Sequence, residues 1–129
     1  MSFEIKKIDH IHLNVKDRSV SEEWYKKVFG FERTESLAFW AEGDGPLTIQ
    51  NKSGSVHLAL FASADSQKTT IAFSVSALDL LLCINHLSSL DIIVKPVDHQ
   101  VSWSVYFSDP DGNPFEVTTY DYQEFLQHA

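Results

Sequence analysis

Cysteine is nearly absent. Cys83 is the single one among 129 residues, so no disulfide can close within the chain. Set among Leu80, Leu81, Leu82 and Ile84, it reads as a buried thiol of a reducing compartment, and a cytoplasmic location is expected. Positive charge is scarce as well: ten Lys and Arg against eighteen Asp and Glu leave a formal net charge of −8. A phosphate backbone is gripped by a basic surface, so nucleic acid is not an expected partner. The same acidity leaves room for a cationic ligand. No apolar run reaches the roughly 20 residues of a membrane span. The opening Met1-Ser2-Phe3-Glu4-Ile5 lacks a basic segment followed by an apolar stretch and a small-residue cleavage site. Neither a signal peptide nor a membrane partner is therefore expected.

What is present is a composition for one globular domain, 43% hydrophobic and long enough to bury a core. Short segments alternate with the two-residue period of a strand. Over 8–15, Ile11, Leu13 and Val15 oppose His10, His12 and Asn14. Over 55–61, Val56, Leu58 and Leu60 oppose Ser55, His57 and Ala59. Over 70–76, Ile71, Phe73 and Val75 oppose Thr70, Ala72, Ser74 and Ser76, and over 115–120 Glu116, Thr118 and Tyr120 share one face. His10, His57 and Glu116 thus lie on the polar sides of three strands. Two histidines and one carboxylate form a donor set that holds a divalent metal with positions open for a substrate.

The chain also repeats itself. Residues 10–15 fall on 70–75 at an offset of 60, and each segment then enters a helix. The first helix is expected at 19–29, opening on a Ser19 and Glu22 capping box, burying Val20, Trp24 and Val28, and stopping at Gly30. The second is expected at 77–90, capped by Ser76 with Asp79 at the matching spacing, with Leu80, Ile84 and Leu87 on its stripe. Three strands follow each helix, at 33–42, 46–51 and 55–62, then at 92–97, 102–108 and 113–120. The turn Asp109-Pro110-Asp111-Gly112 joins the last two. Counting from Gly54 and Gly112 makes His57 and Glu116 repeat mates, as His10 and Thr70 are. The fold class is α+β: two βαβββ modules, about 5–62 and 69–120, in a single domain spanning 1–129 with a short C-terminal tail.

Three stretches carry a resemblance to a known family: Ile8-Asp9-His10-Ile11-His12-Leu13-Asn14-Val15, the helix with Trp24-Tyr25 and its exit Phe29-Gly30-Phe31, and Tyr106 to Glu116 through the Asp-Pro-Asp-Gly turn. The chain resembles the vicinal oxygen chelate superfamily of glyoxalases, bleomycin-resistance proteins and dioxygenases. The resemblance implies a curled, cup-shaped mixed sheet with helices outside and a divalent metal, held by His10 and Glu116, on the cup floor. Zn, Ni, Mn and Fe are not distinguished. Fosfomycin-resistance enzymes and extradiol dioxygenases place a second histidine where this chain has Thr70, whereas His57 stands on the strand where glyoxalase I carries Glu or Gln.

Within that resemblance His12, which shares the face of His10, and Tyr106, which projects with Ser104 from one face of its strand where the similar fosfomycin-resistance pattern touches its ligand, are the expected catalytic or substrate contacts. Trp40, on a strand expected to rim the cup, Thr70, His99 and Ser104 are the expected substrate-binding residues. Phe39, Trp103 and Phe115 read as core, and His86 and His128 as surface. The apolar run Leu80-Leu81-Leu82-Cys83-Ile84, together with the family, points to a homodimer. Two functions stay open: a metalloenzyme (lyase, isomerase or dioxygenase) acting on a small oxygen-rich substrate, and a metal-free drug-binding protein of the bleomycin-resistance type.

Overall fold

The computed structural model describes Phe3, residues 5–65 and residues 67–128; Met1, Ser2 and Glu4 of the opening segment lie outside the described residues. The chain divides at 66/67 into two compact units, each built round its own four-stranded mixed sheet.

The first unit runs β1 (Ile11–Val15), α1 (Arg18–Phe29), β2 (Glu32–Arg33), a 3-10 helix (Glu35–Glu42), β3 (Leu47–Gln50) and β4 (His57–Ala62). The second runs β5 (Ile71–Ser74), α2 (Ala77–Ser89), β6 (Val97–Asp98), β7 (Trp103–Ser108), β8 (Pro114–Thr119) and α3 (Tyr122–His128). Their sheets share one topology. The orders are β1-β4-β3-β2 and β5-β8-β7-β6, with the first pair parallel and the rest antiparallel.

Alternation decides which face of each sheet is core. In the first unit Leu13, Val15, Ile49, Leu58 and Leu60 are buried together with Tyr25 and Val28 of α1. In the second, Ile71, Val105, Phe115 and Val117 are buried with Leu80 and Leu87 of α2 and Phe125 of α3. Each such side chain withdraws enough apolar surface to contribute roughly 1.5–3 kcal/mol. The opposite faces carry the polar residues.

Several elements differ from the sequence reading, each for a local reason. The cap of α1 is Asp17, whose Oδ1 accepts from the N–H groups of Ser19 and Val20 at 2.8 and 3.2 Å. That sets the buried stripe on Ser21, Tyr25 and Val28 and leaves Val20 exposed. Gly30 ends the helix in the left-handed conformation, as expected. Residues 35–42 form a 3-10 helix instead of a strand, opened by Leu37 N–H donating to the Thr34 carbonyl. A short apolar run such as Leu37 to Ala41 fits either period, so local hydrogen bonding decides. Residues 92–96 are not strand: Pro96 has no N–H to give a ladder, and only Val97 and Asp98 pair at that edge. The C-terminal tail is α3, anchored by the fully buried Phe125. Phe115 is core, while Phe39 and Trp40 are well exposed. Among the described residues, no helix is long and apolar enough to cross a membrane.

Candidate functional site

Register places each candidate. On the polar face of the first sheet His12 pairs with Ala59, Ala59 with Thr48, and His57 with Gln50. On that of the second, Ala72 pairs with Glu116 and Glu116 with Tyr106. The repeat mate of Glu116 is therefore Ala59, a buried residue with no donor atom, and not His57. Ala59 is the fifth residue after Gly54 and Glu116 the fourth after Gly112, so the loop difference runs opposite to the one the sequence suggested. His57 stands two residues earlier on the same face.

In the first unit the structure brings His10, His57 and Trp40 to one cavity of about 120 Å³, walled also by Asp9, Leu37, Pro46, Thr48 and Ala59. His10 is held at both ring nitrogens: Nδ1 lies 2.8 Å from Asp9 Oδ2 and Nε2 lies 2.9 Å from His12 Nε2. A carboxylate can only accept, so Nδ1 carries hydrogen and the Nε2 lone pair of a neutral ring is left for another partner. The hydrogen bond from His10 holds the Asp9 carboxyl below the usual range against the opposing effect of desolvation, and the nearby Lys7 charge acts in the same sense as that bond. His12 stacks on His10 at 4.9 Å and tilts against Phe61 at 4.6 Å.

The cavity wall made by the 3-10 helix is fastened by Arg18. Its guanidinium donates to the carbonyls of Ala41 (3.1 Å), Gly43 (3.4 Å) and Gly45. Gly45 has no room for a side chain, since a Cβ there would stand 2.4 Å from the Trp40 carbonyl oxygen. Replacing Arg18 by alanine is expected to cost about 2 kcal/mol, measured by urea unfolding. Acrylamide should then quench Trp40 more strongly than in the parent, with Trp40→Phe as the control. Lysine should not restore either property, because a point charge does not span several carbonyls.

In the second unit Ser104 donates to Glu116 Oε2 at 2.7 Å and stands 2.9 Å from Thr118 Oγ1. Tyr106 meets His99 Nε2 at 2.8 Å through its hydroxyl. Desolvation first, and the Glu116 carboxylate next, push the Tyr106 phenol up, while a hydrogen bond from Ser104 opposes them. Glu116, Ser104, Tyr106 and His99 thus form one connected polar set. Thr70 does not join it: it is exposed and precedes β5.

A divalent metal fits the chemistry at His10, where a carboxylate orients an imidazole that lines a cavity, the usual support of a metal-bound histidine. Among the described residues no three His, Cys, Asp or Glu side chains are grouped to hold a metal ion. Sequence reasoning passed over Asp9 as the orienter of His10, although its position beside that histidine was a signal. Arg18 carried none, because its partners are backbone carbonyls.

Comparison with known proteins agrees with this architecture. The sequence profile of the Glyoxalase/Bleomycin resistance protein/Dioxygenase superfamily matches residues 7–117. Among solved structures, the fosfomycin resistance protein of Listeria monocytogenes, solved with Mn(II) and a dihydroxypropylphosphonic acid, superposes with a TM-score of 0.73 at 19% identity, over 96% of this chain and 99% of that one. Lactoylglutathione lyase from Agrobacterium tumefaciens gives 0.73 at 22% identity, over 90% and 95%. A glyoxalase/dioxygenase from Nostoc punctiforme gives 0.69 at 24%, over 88% and 90%. At these identities the likeness establishes the α+β fold alone.

Proposed function

We propose, since this chain belongs to the Glyoxalase/Bleomycin resistance protein/Dioxygenase superfamily, that it is a metal-dependent lyase, isomerase or dioxygenase acting on a small oxygen-rich substrate. The protein ligands of the metal in this reading are His10, His57 and Glu116. The observation that supports it most is the state of His10: Asp9 fixes its tautomer, and the cavity beside it also receives His57. Imidazole and carboxylate donors suit Zn, Ni, Mn or Fe. A divalent ion bound there supplies Lewis-acid polarisation of substrate oxygens.

The chain's own residues do the rest. Leu37, Trp40 and Pro46 give the cavity an apolar wall that displaces water from a bound substrate. Tyr106 keeps its proton beside Glu116, and His99 Nε2 is placed to take or return it. His12 offers a further imidazole on the face of His10. The exposed Leu78 and Leu82 of α2 support a homodimer, and the lone thiol of Cys83 supports a cytoplasmic setting.

Metal analysis after incubation with Zn, Ni, Mn or Fe salts and exhaustive dialysis tests the reading. The wild type is expected to retain about one ion per chain. His57→Ala and Glu116→Gln are expected to bind at least about 10-fold more weakly, with unchanged circular dichroism. Full affinity in both variants would remove them from the ligand set. A wild type that takes up none of the four metals would overturn the enzyme reading in favour of a metal-free binding protein.

A further inference from the structure

Backbone pairing gives His99 little support. It stands at the tip of a hairpin whose outer strand, β6, is only two residues long and pairs through Val97 with Ser104 and Asp98 with Trp103. Val97, Asp98 and His99 are all exposed, so burial does little to hold them in place. The tip also bends through Gln100 at a φ of 72°, a left-handed conformation that a side chain resists. Yet the His99 ring is set edge-on to Tyr106, with Nε2 2.8 Å from the phenol oxygen and the ring planes at 89°.

Asp98 supplies the missing hold. Its side chain leaves the face shared with Trp103, opposite to that of His99, as successive residues of an extended chain do. Both of its oxygens lie 2.8 Å from the Tyr122 hydroxyl at the start of α3, and Oδ1 also accepts the Gln100 N–H at 2.8 Å. One carboxylate therefore closes the tip and ties it to the helix. Tyr122 is itself stacked on Trp103, ring centroids 5.5 Å apart at 19°, and Trp103 packs at 5.3 Å against the fully buried Phe125. The bond to Asp98 first, and desolvation next, push the Tyr122 phenol up, so its donor hydrogen is kept at neutral pH.

We infer that Tyr122 and Asp98 are positioning residues: α3 grips the β6–β7 hairpin from the helical face of the second sheet and thereby sets His99 against Tyr106 on the opposite face. The use made of that pair, a proton exchanged at the Tyr106 oxygen, rests on the functional reading above. The tie itself involves neither a metal ion nor any residue of the first unit.

The test is NMR of the full chain as wild type, Tyr122→Phe, Asp98→Ala and Asp98→Asn, reading the cross-peak between the His99 and Tyr106 ring protons and the ¹⁵N signal of His99 Nε2. Tyr122→Phe keeps a ring on Trp103 and removes only the hydroxyl, so α3 should remain folded; Asp98→Ala cuts the same tie from its other end. Each is expected to weaken the cross-peak at least about twofold and to move the Nε2 signal, because an exposed hairpin that loses its hydrogen bond to the helix opens. Asp98→Asn keeps an acceptor oxygen for both donors and should restore most of the wild-type spectrum. The double variant Tyr122→Phe/Asp98→Ala should be no worse than Asp98→Ala, since both changes break one link. A cross-peak of wild-type strength in Tyr122→Phe and Asp98→Ala, even with stability reduced, would overturn the inference, and so would its absence from the wild type. Metal uptake separates the two readings. If the cross-peak responds as expected in a protein that takes up no divalent metal, the tie stands and the metalloenzyme reading falls; if metal binds as expected and the cross-peak ignores both substitutions, the reverse holds.

Discussion

Replacing Asp109 by alanine is expected to destabilise the second unit by about 3 kcal/mol, the largest loss anticipated for any surface turn of this protein. Asp109 is only 5% exposed, and its carboxylate is the acceptor for three donors. Oδ1 takes the N–H groups of Asp111 and Asn113 at 2.9 and 2.8 Å, and Oδ2 takes the Asn113 side-chain amide at 2.8 Å. Asn113 is itself buried, so alanine would strand two of those donors away from water. The backbone closes around the same residue, with Gly112 N–H donating to the Asp109 carbonyl and Asp109 N–H to the Asn113 carbonyl. Gly112 takes a φ of 83°, which a side chain would oppose. Pro110 presets the first bend. This turn fixes the pairing of β7 with β8, and thereby sets Tyr106 opposite Glu116. A urea midpoint lowered by less than the equivalent of about 1 kcal/mol would contradict the account. Asp109→Asn, which retains one acceptor oxygen, should cost about half as much.

The Asp109 turn also shows what kind of information was legible in the sequence. Asp-Pro-Asp-Gly is a local device whose partners lie within four residues, so its role can be read without knowing the fold. The alternation of β1, β4 and β8 is equally local, and it placed His10, His57 and Glu116 on polar faces. The two helices with their glycine and serine caps were legible for the same reason. Failures came where a distant contact decides. The run 35–42 has strand-like composition and takes its 3-10 form from local hydrogen bonds, but its place against the rest of the unit is set by Arg18, which reaches the carbonyls of Ala41, Gly43 and Gly45 about 25 residues ahead. The pairing of His57 with Glu116 as repeat mates rested on counting from a glycine, and loop length is what counting cannot supply. Only the ladders identify Ala59 as the equivalent of Glu116. The clasp between His10 and His12 was hidden too, because a shared face allows two imidazoles to meet but does not say which nitrogens they turn to each other.

His10→Ala is expected to abolish metal uptake, lowering affinity by more than about 100-fold, a greater loss than substitutions of supporting residues produce. The reason is that every line of the site passes through this residue. Asp9 bonds the His10 ring, His12 turns its Nε2 to His10, and the cavity shared with His57 opens beside the same ring. Stability should change little, because the His10 side chain is 41% exposed and precedes β1 instead of pairing in it. Asp9→Asn provides a graded control: its amide oxygen can still accept from Nδ1 but without the charge, so affinity should fall by roughly 10-fold. The two substitutions separate orientation from donation. If alanine at position 10 leaves bound metal at the wild-type level, the ion sits elsewhere and the ligand set proposed for this protein falls. If the asparagine variant loses as much as the alanine variant, the carboxylate itself is a ligand and not only the support of one.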